Sequence, residues 1–481
     1  MKLLLKGHDE RYAVEQLQLA LFPEETMEPV NAAFQGDGAV SALHRGATWL
    51  TATAQITLHG KTVRAARRMR TAQEDVSSRR RLLQNTYYAA AMLLREPPEW
   101  GSLSGVRPTK LTTRCLLAGG TEADARRLLE ESYHVTPARS RLSVECSAAT
   151  VRAAQRLRPQ DVSVYIGIPF CPTRCVYCSF VSQTTGRQGA LLAPYLDALE
   201  QEIEHTARLL RAAGRSVRTI YIGGGTPTTL STAQMTRLMQ AIAAHFDLSS
   251  LIEYTVEGGR PDTLDPEKLS AIHSLGCGRM SINPQTMNDA VLRRIGRCHT
   301  AAQTVQAFHQ ARAAGFREIN MDLIAGLPQD GPESFADSLA QVLTLEPENI
   351  TVHTLALKKG ADLYFSREEL PTAQAVRAML DGAEAELRAH GYRPYYLYRQ
   401  KYMSGSFENV GWSRPGTECL YNIYMMEELH SVISLGGGGM TKINLPDGTL
   451  ERFHNPKFPQ QYIQRMDSVL SQKDAAITLL K

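Results

Sequence analysis

Three cysteines lie within eight residues, Cys171, Cys175 and Cys178, in the stretch Tyr165-Ile-Gly-Ile-Pro-Phe-Cys-Pro-Thr-Arg-Cys-Val-Tyr-Cys-Ser-Phe180. The C-x3-C-x2-C spacing offers three thiolates, enough to hold three corners of a cubane iron–sulfur cluster while one iron keeps no protein ligand. An iron left open in this way is a place for chemistry. A zinc site would need a fourth Cys or His, which this stretch does not offer, and three unrelated packing cysteines are the remaining reading.

The element that presents the cysteines is an apolar, β-branched run, Val162, Val164, Ile166 and Ile168, which reads as a buried strand stopping at Pro169. Strands are expected near Val162 to Ile168, Val217 to Ile222, Glu253 to Val256, Arg279 to Ile282, Ile319 to Ile324 and Ile350 to Leu357. Helices are expected between them, at Tyr195 to Ala213, Thr232 to His245, Pro266 to Leu275, Ala301 to Ala314 and Phe335 to Leu345. Such alternation implies a parallel sheet with right-handed crossovers, and six units suit a partial (β/α)6 barrel open on one side. Functional residues of parallel barrels collect at the C-terminal strand ends. Those ends carry Gly223-Gly-Gly-Thr-Pro227, Glu257-Gly-Gly-Arg-Pro-Asp262, Arg279-Met-Ser-Ile-Asn-Pro-Gln285 and Asn320-Met-Asp-Leu-Ile-Ala-Gly-Leu-Pro328, with Ile295-Gly-Arg-Cys-His-Thr300 after the fourth. Each polar residue could be a strand-end cap when taken singly; their shared register with the cysteines is what singles them out.

The cysteine spacing, the preceding Pro-Phe and the internal Tyr177 resemble the signature of the radical S-adenosylmethionine (AdoMet) superfamily. Within it, Tyr-x-x-x-Pro-Phe-Cys followed by Cys-x-Tyr-Cys is similar to the oxygen-independent coproporphyrinogen III oxidase family, and the whole pattern to its HemZ-like branch. The resemblance implies a [4Fe-4S] cluster on Cys171, Cys175 and Cys178, with AdoMet chelated at the open iron. It implies AdoMet contacts from Tyr165, from Gly223, Gly224, Gly225 and Thr226 toward the amino group, and from Glu257 at the methionyl end. Gln285 and Asp322 would hold the ribose, and Arg297 would pair with the AdoMet carboxylate. His299 is expected to be structural, and no side chain is assigned to the substrate chemistry itself. The implied reaction is oxidative decarboxylation of coproporphyrinogen III, a step of haem biosynthesis, fed by an electron donor of the flavodoxin or ferredoxin class.

The flanks are less explicit. The 481 residues suggest two or three domains, read as an N-terminal α/β module over 1–160, the barrel over 161–359 and a C-terminal α+β region over 360–481. With 21% charged and 43% hydrophobic residues, an overall charge of +4 and no run of 18 apolar residues, the chain reads as soluble and cytoplasmic, without signal peptide or membrane span. Cys115, Cys146, Cys277, Cys298 and Cys419 are scattered and read as reduced packing residues. Residues 1–160 carry 23 Lys/Arg against 16 Asp/Glu. Much of that excess lies in Lys61 to Arg81, which reads as a solvated helix face or a nucleic-acid surface, with no aromatic residue interleaved in it. Strands are expected at Met1 to Leu5, Ala47 to Leu58 and Lys61 to Ala66, and Gly105-Val-Arg-Pro-Thr-Lys110 is a loop similar to one in the HemZ-like branch. Tyr392 to Tyr402 reads as an aromatic strand with Arg399 and Lys401 at its end, and Lys442 to Phe453 as a hairpin whose partner sheet cannot be assigned.

Two positions depart from the oxidase pattern. A further cysteine two residues after the third ligand is replaced by Phe180, and a histidine two after the strand tyrosine by Gly167. A haem-binding chaperone of the same family, or a radical enzyme acting on RNA, are therefore the alternative functions.

Overall fold

An antiparallel ribbon of alternating small apolar and polar residues dominates the N-terminal unit. The structure, a computed structural model, describes residues 1–480 apart from 23, 24, 26, 181, 367, 368 and 401–405, so that Lys401 and Tyr402 lie outside the described residues. Strands β1 (Lys2–Lys6), β2 (Glu28–Val30), β3 (Gly38–Arg45), β4 (Trp49–Leu58) and β5 (Lys61–Arg70) form one sheet in the order β2-β1-β3-β4-β5. His59 and Gly60 both adopt positive φ between β4 and β5, the backbone a two-residue hairpin turn requires. Alternate residues Leu50, Ala52, Ala54 and Ile56 are buried, and Ala54 and Ile56 share a core with Leu17 of helix Arg11–Leu21 and Tyr87 of helix Val76–Ala91. The basic run is thus not one helix face: its first ten residues are β5, and the next helix begins at Val76. An aromatic residue does join it, because cross-strand pairing sets Trp49 under Arg68 and Arg70, at 4.4 and 5.4 Å. Arg79 and Arg80 meet Glu10 at 3.0 and 2.9 Å.

The second unit comprises Glu145–Tyr398 and Glu408–Lys481, while Arg399–Phe407 groups with the first. Its strands are β6 (Asp161–Ile168), β7 (Phe170–Cys171), β8 (Gln183–Thr184), β9 (Ser216–Gly224), β10 (Glu253–Glu257), β11 (Arg279–Ser281), β12 (Glu318–Ala325), β13 (Asn349–Thr354), β14 (Arg393–Arg399), β15 (Glu408–Ser413), β16 (Val432–Gly436), β17 (Met440–Asn444) and β18 (Leu450–His454). Eleven of them form one sheet, β14-β15-β13-β12-β11-β10-β9-β6-β16-β17-β18. From β6 to β13 neighbouring strands run parallel, joined through helices such as Leu192–Ala212, Thr232–His245 and Ala301–Ala313, which is the expected open barrel. Capping boxes at Ser231 and Thr300 fix the starts of two of these helices.

Residues after 360 continue the same sheet on both flanks. β15 pairs antiparallel with β13, whereas β16 pairs parallel with β6 and leads into the β17–β18 hairpin, so the hairpin's partner sheet is the barrel's own. A buried carboxylate fastens this closure: Glu202 accepts hydrogen bonds from Gly436 N (2.7 Å) and Asn455 Nδ2 (2.8 Å) and pairs with Lys473 at 3.1 Å. Removing Lys473 would strand a buried charge, a loss of about 3–5 kcal/mol. No helix among the described residues is long and apolar enough to cross a membrane.

Candidate active site

The strands that make the sheet also sort its side chains. Val256, Met280, Met321 and Val352 are buried toward the helices, whereas the alternate residues Glu257, Ser281, Asn320, Asp322, Thr351 and His353 share the opposite face at the strands' C-terminal half. β6 ends at Ile168 and delivers the cysteine loop, whose start, β7, pairs with β8. Cys171 and Cys175 are buried, Cys178 is half-buried, and all three are free thiols. Burial pushes the Cys178 thiol up in pKa, against a hydrogen bond from the Phe180 backbone.

Contacts from later loops hold this segment in place. Arg260 donates to Thr173 Oγ1 at 2.6 Å, Val176 N to Ile295 O at 3.1 Å, and Leu363 N to Val176 O at 2.8 Å. Arg260 is itself gripped by both oxygens of Asp262, at 3.0 and 2.8 Å, and His299 lies 3.6 Å from the same carboxylate, consistent with a structural histidine. Among the described residues no three Cys, His, Asp or Glu side chains converge as a single-ion site would need. A cubane spreads its ligands over separate irons, and three cysteines on one loop can supply them.

Gly223-Gly-Gly-Thr226 packs against this loop. A Cβ on Gly225 would lie 2.6 Å from Phe170 O and 2.9 Å from Cys171 Sγ, and one on Gly224 2.8 Å from Ile168 N. These two glycines are thus required by the protein's own backbone, beyond any ligand. Thr226 donates to Cys171 Sγ at 3.4 Å. At Gly223 a Cβ would stand 2.8 Å from Glu257 Oε2 and 3.2 Å from Tyr165 Cε2, so Tyr165, Gly223 and Glu257 form one wall. Burial, reinforced by Asp322, pushes Glu257 up to about 8. Gly259, two residues after Glu257, takes the left-handed backbone at φ +63°.

The other expected residues join the same site. Gln285, buried and at φ +72°, donates its backbone N–H to Asp322 O and accepts from Ile324 N, both at 2.9 Å. A glutamine in the left-handed region costs backbone energy, of the kind functional sites retain. Asp322 accepts from Asn320 Nδ2 at 2.7 Å. Arg297, fully enclosed, donates to Gly259 O and Asn283 O, both at 3.2 Å, and to Tyr177 Oη at 3.1 Å, while its Nε has no partner.

His353 was not foreseen. Its Nε2 lies 3.5 Å from Asp322 Oδ2; burial lowers its pKa, but Asp322, Asn409 and Glu257 together outweigh burial and the net shift is upward. The signal was present as polar residues at alternate positions of an apolar strand, Asn349, Thr351 and His353. Three tyrosines were only partly foreseen: Tyr165, Tyr221 and Tyr421 stack, with Tyr221 and Tyr421 centroids 4.7 Å apart. Arg399 is committed elsewhere, donating to Leu103 O at 2.6 Å and Ser406 O at 3.1 Å. Phe180 is exposed, and Gly167 has a physical reason, since a Cβ there would press on Gly437 O at 3.1 Å.

Comparison with known proteins agrees with this geometry. The family profile of the Radical SAM superfamily matches residues 165–342. The oxygen-independent coproporphyrinogen-III oxidase-like protein HemZ of Bacillus subtilis is 39% identical over 382 residues, covering 78% of this chain and 76% of its own. The heme chaperone HemW of Escherichia coli is 29% identical, over 63% of this chain and 76% of its own. The solved structure of the coproporphyrinogen III oxidase HemN of E. coli, a radical SAM enzyme, superposes with a TM-score of 0.55 at 28% identity, covering 67% of this chain and 73% of that one. Radical SAM enzymes use a [4Fe-4S] cluster and S-adenosylmethionine, and this chain belongs to that superfamily and, within it, to the oxygen-independent coproporphyrinogen-III oxidase-like family.

Proposed function

We propose that Cys171, Cys175 and Cys178 hold the cluster, that Tyr165, Gly223, Gly224, Gly225, Thr226, Glu257, Gln285, Arg297 and Asp322 seat AdoMet, and that the substrate is coproporphyrinogen III. One observation carries the reading: among the described residues, a buried arginine with no carboxylate bonded to it and a buried carboxyl with no cation bonded to it stand at the same strand ends as the cysteine loop. An amino acid supplies both missing partners at once. Its carboxylate would meet Arg297 in a charge-assisted contact, and its ammonium would draw Glu257 back to the charged state. Gln285 and Asp322 offer polar groups to a ribose, and the stacked tyrosines wall the chamber with apolar surface that excludes water. When bound, the cluster and AdoMet supply one-electron cleavage and hydrogen abstraction; the protein's share is to bind and orient.

The implied reaction turns two propionates into vinyl groups with release of CO2, and needs a one-electron donor of the flavodoxin or ferredoxin class. Anaerobic reconstitution followed by AdoMet, a reductant, an electron acceptor and coproporphyrinogen III should yield 5'-deoxyadenosine and a decarboxylated tetrapyrrole by mass spectrometry. The exposed Phe180, which places no thiol in the chamber, favours haem binding by the same barrel as the second reading. Deoxyadenosine without CO2 loss, together with tight haem binding, would select it.

A further inference from the structure

The surface over the cysteine loop is apolar and basic, and none of the residues that make it so is used by the site beneath. Five exposed aromatic side chains occur among the described residues, and three of them are here: Phe180 at 69%, Tyr364 at 42% and Phe365 at 73% exposure. Tyr364 and Phe365 pack edge to face, with centroids 5.1 Å apart. Their segment is fastened to the cysteine loop by Leu363 N donating to Val176 O and by Arg174 donating to Gly360 O. Segments 170–180, 293–298 and 355–366 adjoin at the loop and carry the exposed Arg174, Arg293, Arg294 and Lys359 and the half-buried Lys358, with Asp362 as the one acid in these segments. Cys178 is the least buried of the three cluster cysteines.

We propose that this surface docks a small acidic one-electron carrier protein, whose redox group thereby comes nearest the cluster at Cys178. Exposed aromatic groups packed side by side, as Tyr364 and Phe365 are, mark interaction sites, and an excess of cations around them selects an acidic partner and speeds its encounter. Side chains this exposed make a convex surface, which suits a protein; a small ligand needs a concave site. The step transfers one electron: the carrier loses it, the cluster gains it, and no bond forms or breaks. The proposal rests on the cluster assignment above.

The test uses full-length reconstituted protein and bacterial flavodoxin. For the double variant Phe365→Ser/Lys359→Glu, flavodoxin Kd by calorimetry should rise about tenfold or more, and binding to the wild type should weaken as salt is added. Flavodoxin-driven 5'-deoxyadenosine formation should fall in parallel, while the dithionite-driven rate stays within about twofold of wild type. Unchanged flavodoxin affinity, or equal loss under both reductants, would overturn the proposal. So would weaker coproporphyrinogen binding with flavodoxin binding intact, which would give the surface to the substrate. A wild type inert even with dithionite would instead contradict the cluster assignment, and the binding measurement would still decide the surface.

Discussion

The two ends of the barrel strands each bury an arginine, and the two are treated differently. At the N-terminal ends, beside an open cavity of about 690 Å³, Arg279 lies between Glu253, at 3.7 Å, and Glu318, and also donates to Thr417 O at 2.6 Å. Glu253 further accepts from the backbone of Leu420 and Tyr421 at 2.7 and 2.9 Å. That charge is balanced by the protein itself. At the C-terminal ends Arg297 has two carbonyls and a phenol, and the neighbouring Asp262 is committed to Arg260 and His299. A buried ion network completed within the chain is a structural part; one left incomplete, beside a carboxyl lifted to about 8, is a site awaiting a partner of opposite charge.

The most drastic way to break the contrast is at the cysteines. Replacing Cys171, Cys175 or Cys178 singly by Ala should abolish cluster absorbance and reduce iron to background. Cys277→Ala, near the other end, should keep the iron; Cys277 is wholly buried and bonds Tyr254 O, so the change should cost only about 1 kcal/mol in a urea titration. The arginines come next. Arg279→Leu leaves two carboxylates facing each other and should destabilise the second unit by about 3–5 kcal/mol. Arg297→Leu removes donors to two buried carbonyls, about 1–3 kcal/mol, yet should abolish AdoMet binding by calorimetry.

Restoring the family histidine by Gly167→His should lower stability by about 1–3 kcal/mol, because Gly437 O occupies the space next to that position. Coproporphyrinogen turnover rescued without that loss would show the tight contact to be unimportant. Glu257→Gln should differ from wild type chiefly in its pH dependence. Glu257's folded value of about 8 lies above its ordinary 4.5, so its contribution is fully present below 4.5 and is lost as pH rises through 8. Relative to the Gln variant, wild type should lose about 3–4 kcal/mol between about pH 5 and 8, read from unfolding midpoints; parallel profiles would show that Glu257 is not lifted.

The barrel was legible because its strands are β-branched runs and its helices begin at capping residues, as Ser231 and Thr300 show. The candidate cofactor residues stood out because chemistry restricts their types as well as their spacing. β3 was not foreseen: Gly38-Ala-Val-Ser-Ala-Leu-His-Arg45 has weak strand propensity and is held by pairing with β1 on one side and β4 on the other. β5 was expected only over Lys61 to Ala66; its continuation to Arg70 comes from pairing with β4, whose Trp49 lies under Arg68 and Arg70. β16 joins β6 across some 270 residues of chain, a pairing no local pattern encodes. His353 escaped because the alternation of Asn349, Thr351 and His353 marks only a polar strand face; the histidine becomes informative once Asp322 is seen beside it.

The central claim is that the C-terminal strand ends and the cysteine loop form one site completed by AdoMet. Electron paramagnetic resonance of the dithionite-reduced, reconstituted protein tests it most directly. The wild-type cluster spectrum should shift when AdoMet is added, and that of Arg297→Leu should not. A cluster signal that AdoMet leaves unchanged in the wild type would contradict the account.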